Sequence, residues 1–315
     1  MSSAALRYGA AILLVACVGL AARAEPAAEA AQAEAPAERT QKLIRFSASA
    51  SPYYQGNTGL GNGAEFRLSI LFTRFDVAMP VSRRTLVGLG ISYDVHDYEF
   101  SGSTSLGGAK PWNDMRRIGL AFPITSRVAE NWVLTAIPSV DSFGESGADL
   151  GESVAYGGTV AGLRIVRRDR SIGLGLGAFD QLEDLFIFPF LAVKWSFTQR
   201  LSLANPFRAG PTGPAGVELI YELGEQWRIA GGGTYRFARF RLSEQGAVPN
   251  GIGENTGIPL FARLQKQFGK AVRLDLYGGA VLAGQLRLED ENGNELASDD
   301  YDAAPFLALT LSGNF

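Results

Sequence analysis

From residue 42 to its end the chain alternates apolar and polar side chains with a period of two, and the 3.6-residue period of a helix is hard to find. Val87, Leu89, Ile91, Tyr93 and Val95 share one face of such a stretch, against Gly88, Gly90, Ser92, Asp94 and His96. The pattern returns at Ile118 to Ile124, Ile172 to Leu176, Ile187 to Phe197, Val217 to Leu223, Ile258 to Leu264 and Val272 to Leu282. No apolar run after the first 24 residues approaches the roughly 18 to 20 residues of a membrane helix. A membrane-crossing version of this chain therefore crosses as strands.

The connections narrow the choice further, because short and long ones alternate. Short ones lie near Ser82-Arg83-Arg84, Ser126 to Asn131, Arg167 to Arg170, Thr198-Gln199-Arg200, Gly224-Glu225-Gln226 and Gly269-Lys270. Longer Gly-, Pro- or acid-rich segments separate them: Gln55 to Asn62, Ser101 to Asn113, Gly144 to Ser153, Asp180 to Asp184, Arg208 to Gly216, Ser243 to Gly257 and Glu289 to Asp302. Counting between them gives about 14 strands, with 12 as the alternative, each near the 9 to 11 residues that a tilted membrane strand needs. An even number places both termini and every short turn on one side. A soluble sandwich also alternates, but nothing in its architecture sorts loop lengths by side. The expected fold is all-β: a transmembrane antiparallel up-and-down β-barrel, closed so that no backbone edge meets lipid.

The start of the chain agrees with export. Arg7 precedes an apolar run from Gly9 to Ala22, and Ala22-Arg23-Ala24 offers a small-x-small cleavage site, so residues 1–24 read as a signal peptide. Residues 25–41 are an Ala/Glu/Pro-rich periplasmic linker that has almost nothing to bury, and residues 42–315 are the barrel. The single cysteine, Cys17, falls within the apolar run, so the mature chain has no thiol. Leu14-Val15-Ala16-Cys17 also has the form of a lipoprotein box; against that reading, the chain stays apolar through Val18-Gly19-Leu20.

Charge excludes one class of partner. With 29 Lys+Arg against 32 Asp+Glu, the chain lacks the basic excess that nucleic acid requires. The expected partners are outer-membrane lipid, lipopolysaccharide and the barrel-assembly machinery; the number of copies is left open.

Two further expectations concern the wall. Trp132, Trp195 and Trp227 lie beside short turns, as in a periplasmic aromatic girdle, and Tyr98, Phe100, Trp112, Phe143, Phe179, Tyr235 and Phe237 are placed to form a second girdle on the long-loop side. In Phe66 to Met79 the apolar phase changes from even to odd after Phe72, which predicts a β-bulge near Thr73-Arg74 keeping Arg74 and Asp76 out of lipid.

The chain ends on Phe306-Leu307-Ala308-Leu309-Thr310-Leu311-Ser312-Gly313-Asn314-Phe315. Leu307, Leu309, Leu311 and the terminal Phe315 on one face resemble the signal read by the outer-membrane assembly machinery, with Gly313 departing from the usual large apolar residue. Asn205 to Gly216, Leu274-Asp275-Leu276-Tyr277-Gly278-Gly279-Ala280-Val281 and Ala304 to Leu311 resemble segments of an uncharacterised bacterial outer-membrane β-barrel family, a domain of unknown function. The resemblance implies the fold and the location and brings no site residues.

Chemistry is sparse. His96 is the only histidine, which leaves no His-rich metal centre. Ser92, Asp94 and His96 point one way along one strand near a loop, whereas a hydrolytic triad needs an independently placed orienting partner. The glycines Gly88/Gly90, Gly173/Gly175/Gly177 and Gly231-Gly232-Gly233 sit inside strands, where they bend the sheet or make room for bulky neighbours; no phosphate-binding motif accompanies them. The acidic stretch from Glu289 to Asp302 lacks EF-hand spacing and reads as a solvated loop. No catalytic, cofactor-binding or metal-binding residue is assigned, and no enzyme activity is expected.

The interior carries the remaining information. If the apolar faces meet lipid, Arg117, Arg164, Lys194, Glu218, Glu222, Arg228, Arg236, Arg263, Asp275 and Arg287 point inward. Such mixed charge either sets the field of a pore or pairs off into a lattice that fills the lumen. A ring of about 14 strands encloses more space than side chains readily fill, which favours a pore for small solutes over a non-conducting structural or surface-interaction barrel. A lipid-modifying enzyme is the third reading. The class itself has a direct check: protein extracted from the outer-membrane fraction is expected to migrate differently on a gel before and after boiling, and identical mobility would remove the barrel.

Overall fold

A computed structural model describes residues 44–61, 63–206, 210–213 and 215–315. The proposed signal peptide, linker and Cys17 lie outside these residues. The chain forms β1 (Arg45–Gly59), β2 (Glu65–Pro80), β3 (Thr85–Ser101), β4 (Asp114–Ala121), β5 (Ile124–Ala129), β6 (Trp132–Glu145), β7 (Val154–Arg167), β8 (Arg170–Gln181) and β9 (Asp184–Ser196). It continues through β10 (Leu201–Ala204), β11 (Gly216–Glu222), β12 (Trp227–Thr234), β13 (Arg236–Arg241), β14 (Ile252–Phe268), β15 (Val272–Glu289), β16 (Glu295–Tyr301) and β17 (Ala304–Asn314).

Three pairs of these segments are halves of single strands. β4 and β5 both run between β3 and β6, and part at Phe122-Pro123, where proline has no N–H to give the ladder. β12 and β13 both pair with β14 and part at Tyr235; β16 and β17 both pair with β15 and part at Asp302-Ala303. The result is a closed antiparallel barrel of 14 strands. β17 pairs with β1, and the terminal residue takes part: Phe46 N–H donates to the Phe315 carbonyl at 3.0 Å and Phe315 N–H returns to Phe46 at 2.8 Å. The chain thus stays apolar to its last atom because that atom belongs to the seam. Gly313 also finds a reason, since the Phe315 ring lies 2.9 Å from where a Cβ would stand.

The apolar faces point outward. Leu174 is 72% exposed and Leu307 64%, with Ile91, Ile118, Val160, Ile187, Leu219 and Leu276 similarly open. On β2 the outward residues are Leu71, Phe75 and Met79, about the length of one membrane crossing; beyond them Arg67 pairs with Glu99 on the outer surface, so hydrocarbon ends below that pair. Trp132 and Trp227 are exposed beside the short turns, with Lys266 Nζ 4.3 Å from the Trp227 ring.

Three expectations fail. No bulge interrupts β2: its ladder with β3 runs without a shift from Glu65↔Ser101 to Pro80↔Leu86, and Arg74 and Asp76 face inward in a straight register. Phe66, Leu68 and Ile70 are the residues that point the unexpected way, into an apolar part of the lumen. The residues expected in the second girdle do not form one, for the same reason: Tyr98, Trp112 and Phe143 are buried inside the barrel and Phe179, Tyr235 and Phe237 face an internal cavity. Asp180 to Asp184 is not a long loop: Gln181 pairs with Asp184, and Leu182 and Glu183, at φ 46° and 68°, form the two-residue turn that matches strand twist.

Inward glycines make the aromatic lining possible. Gly175 faces Phe190 across the ladder and Gly177 faces Phe188, and each ring lies flat on the wall where a Cβ would stand. Phe190 is 1% exposed and has no free space to move into. Gly175→Ala is expected to cost about 1–3 kcal/mol through overpacking, read as a lower urea midpoint for unfolding from vesicles. Gly224→Ala, in an open turn with nothing within 4 Å, is the control expected to show no change.

Candidate functional site

The lumen is built in layers. At the short-turn end Arg228 Nε meets Glu222 at 2.8 Å, partly open to water. Above it Arg263, on β14, reaches Glu218 of β11 at 2.6 Å and Asp275 of β15 at 2.7 Å, while Arg273 Nε approaches Asp275 to 2.9 Å. Asp275 is 0% exposed and Glu218 3%, so these charges persist because each carboxylate has a guanidinium against it.

The next layer is a cavity of about 280 Å³. Phe72 of β2, Phe143 of β6, Phe179 of β8, Phe186 and Phe188 of β9 and Phe237 of β13 face it. Its polar lining includes Arg74, Asp94, His96, Arg117, Asp141 and Arg236. Arg74 is held by both oxygens of Asp76 at 2.7 and 2.8 Å, and Arg117 by Asp141 at 3.1 Å. Arg236 Nη2 donates to Gln55 Oε1 at 2.9 Å, and its guanidinium stands 5.2 Å from the Tyr53 ring centre.

Over the cavity lies an aromatic plug. Leu106 and Trp112, from the connection between β3 and β4, are 0% and 2% exposed. β13 leans over the lumen, so that Phe240 meets Trp112 and Phe143 at 5.5 Å and Tyr98 at 6.0 Å, and Arg241 forms a single parallel bridge to Gly144 of β6. A second ionic cluster secures this arrangement. Arg239 reaches Glu289 at 2.6 Å and Glu254 at 3.3 Å and donates to the Leu182 carbonyl, while Arg241 donates to the carbonyls of Glu152 and Asn250.

The inclination of β13 has a counterpart in the wall. β9 is laddered to β10 only through Lys194, Trp195 and Ser196, and Asn205 extends the contact to Leu191 and across to Gly216. Along Asp184–Phe190 no described residue continues the ladder on that side; Phe186 stacks on Phe237 at 5.1 Å instead. Gly210, Pro211, Thr212 and Gly213 lie beside this stretch as part of the cavity lining.

Of the residues expected inside, Arg117, Lys194, Glu218, Glu222, Arg228, Arg236, Arg263 and Asp275 occupy inward positions, and Arg287 lies near Glu254, Glu289 and Glu295 in the upper cluster. Arg164 is the exception. It is exposed, in phase with the outward Tyr156 and Val160 and opposite Trp132 and Ile172, near the short-turn rim where a cation can reach water. Leu307, Leu309, Leu311 and Phe315 all face outward. Asp141 and the phenylalanines of β9 were missed; Asp141 could have been found from the inward phase it shares with Ser139 and Phe143.

His96 lies deep in the lumen, not near a loop. It is 6% exposed, between Phe72 and Phe143 with ring centres at 5.9 and 4.9 Å, and neither ring nitrogen has a hydrogen-bond partner. Ser92 and Asp94 share its face, yet no hydrogen bond links the three, so the geometry is not that of a triad.

No protein-family model matches the chain, and no curated protein matches it. Among solved structures it is similar to an outer-membrane channel from Pseudomonas putida F1, at 12% identity and a TM-score of 0.50, over 90% of this chain and 98% of the other. Looser matches include the Pseudomonas putida toluene transporter TodX, at 11% identity and a TM-score of 0.39 over 90% and 93%. Another is a Pseudomonas aeruginosa FadL homologue, at 10% identity and 0.42 over 87% and 90%. At 12% identity the first likeness is one of fold alone.

The lower ionic layer has a sharp consequence. Arg263→Ala would leave two buried carboxylates facing each other and is expected to cost about 3–5 kcal/mol. The measurement is the urea midpoint of vesicle-inserted protein, with Arg228→Ala, in the more open pair, changing it by less than about 1 kcal/mol.

Proposed function

We propose that this barrel is an outer-membrane channel for small solutes, exported by residues 1–24, and that it is selective and gated, unlike an open diffusion pore. The outward apolar belt and the closed ladder supply the membrane-spanning wall. The mid-lumen cavity, which lies between the aromatic contacts of Phe143 with Phe240 and the Arg263 layer, is the observation that carries the reading. A barrel that served only as a structural element would be expected to fill this volume with side chains, since interiors otherwise pack closely.

The plug is the gate. Its movable part is the connection between β3 and β4, which carries Leu106 and Trp112 and is held over the lumen by aromatic contacts to Phe240 of β13; β13 itself stays laddered to β14. Passage of a solute requires these contacts to part while the wall ladder stays closed.

Planar-bilayer recording tests this. The intact protein is expected to show little steady current, and a variant lacking Ser103 to Ala109 and carrying Trp112→Ala is expected to conduct. A folded variant that inserts and remains silent would favour the non-conducting structural barrel.

A further inference from the structure

The cavity also indicates what it holds. We propose that it is a binding site for a small aromatic carboxylic acid, with one ring packed among the phenylalanines and the carboxylate on Arg236. This rests on the channel reading, for which it supplies the substrate class.

The apolar half of the argument is shape. Phe72 and Phe143 approach from one arc of the barrel, and Phe179, Phe186, Phe188 and Phe237 from the other. Phe179 and Phe188 are stacked within 3° of parallel, and so are Phe186 and Phe237, so the second arc presents ordered ring surfaces. At about 280 Å³ the space lies at the small end of ligand sites, suited to a single ring with a short substituent.

The polar half is a guanidinium with no carboxylate against it. Arg74 is neutralised by Asp76 and Arg117 by Asp141, and Asp94 lies in the field of the same two arginines. Arg236 has no carboxylate within ion-pair distance among the described residues. Gln55 takes one of its terminal nitrogens, the phenols of Tyr53 and Tyr301 lie beside the guanidinium, and Nη1 completes no hydrogen bond of its own. Arg236 is half-buried and faces the cavity with no carboxylate of the described residues against it, and a ligand carboxylate accepts from a guanidinium with the right geometry.

His96 provides a second, independent sign. It lines the same cavity, is more than nine-tenths buried, and neither of its nitrogens is used. A neutral imidazole has one N–H to donate, and a ligand oxygen in the cavity would satisfy it.

Other ligand classes fit less well. An uncharged hydrocarbon would leave Arg236 Nη1 and His96 unsatisfied. A cationic ligand would bring like charge to the lining Arg74, Arg117 and Arg236, with Asp94, among the described residues, the one lining carboxylate outside an ion pair. A sugar needs hydrogen-bonding side chains around its ring, and the phenylalanines offer none.

The test uses the folded full-length barrel in detergent, titrated calorimetrically with benzoate, benzamide and benzylamine, so that neither a bilayer nor transport is involved. Benzoate is expected to bind with one-to-one stoichiometry, at least tenfold tighter than the isosteric but neutral benzamide, with no binding of benzylamine. Arg236→Gln, checked for folding by its heat-shifted gel mobility, is expected to remove that tenfold preference, and Arg236→Lys to retain part of it. Benzamide or benzylamine binding as tightly as benzoate overturns the proposal, as does a folded Arg236→Gln barrel with unchanged benzoate affinity. The comparison of ligands on the unaltered protein decides the matter even if Arg236→Gln does not fold. A barrel that binds benzoate but passes nothing supports this site and removes the channel reading. A barrel that conducts but does not bind benzoate retains the channel and removes the site.

Discussion

Hydrocarbon offers backbone amides no hydrogen-bond partners, and the rest of this structure depends on how the chain meets that constraint. Each of the 14 strands pairs with a neighbour on either side along at least part of its length, and the ring is complete only because β1 and β17 meet, down to the reciprocal bonds between Phe46 and Phe315. Once the backbone is satisfied within the wall, side chains divide into two populations with opposite tasks. Those outside need only be apolar. Those inside must fill, or shape, a space whose size follows from the strand number.

Fourteen strands enclose more volume than aliphatic side chains reach across, and the protein deals with it by depth. Near the short turns, long charged side chains meet in pairs: Arg263 links three strands through Glu218 and Asp275. Toward the long connections rings fill the lumen beside a second ionic cluster around Arg239, and Gly175 and Gly177 allow Phe190 and Phe188 to lie against the wall. β13, still laddered to β14, leans over the lumen, and a stretch of β9 has no ladder partner among the described residues. The cavity lies where these devices meet, bounded by ions on one side and rings on the other, with Arg236 and His96 as the groups the interior does not itself satisfy.

Alternation identifies two faces without saying which is outside. For most strands composition decided it, because a face of Leu174 and Leu176 against Gly173, Gly175 and Gly177 has only one greasy side. β2 shows where that fails. Phe66, Leu68 and Ile70 look like a lipid face, and Arg74 and Asp76 on the same parity look like a lumen face, so a bulge seemed necessary. The strand is straight, and the lumen itself changes from apolar to ionic along its depth. Tyr98, Trp112 and Phe143 misled in the same way, since an aromatic near a strand end can serve a girdle or a plug. Arg164 misled in the other direction, because a cation at the rim can face outward and still be hydrated.

Closure, the side bearing the short turns and the outward apolar belt were legible in the sequence, and the strand number to within two, because they follow from a period of two, the lengths of connections and the chemistry of lipid. Which arginine faces which carboxylate, how β13 crosses the lumen and where a cavity remains were decided only by the tertiary structure. These depend on residues far apart in the chain, such as Gln55 with Arg236 or Glu218 with Arg263, meeting across a lumen whose geometry exists only after the ring has closed.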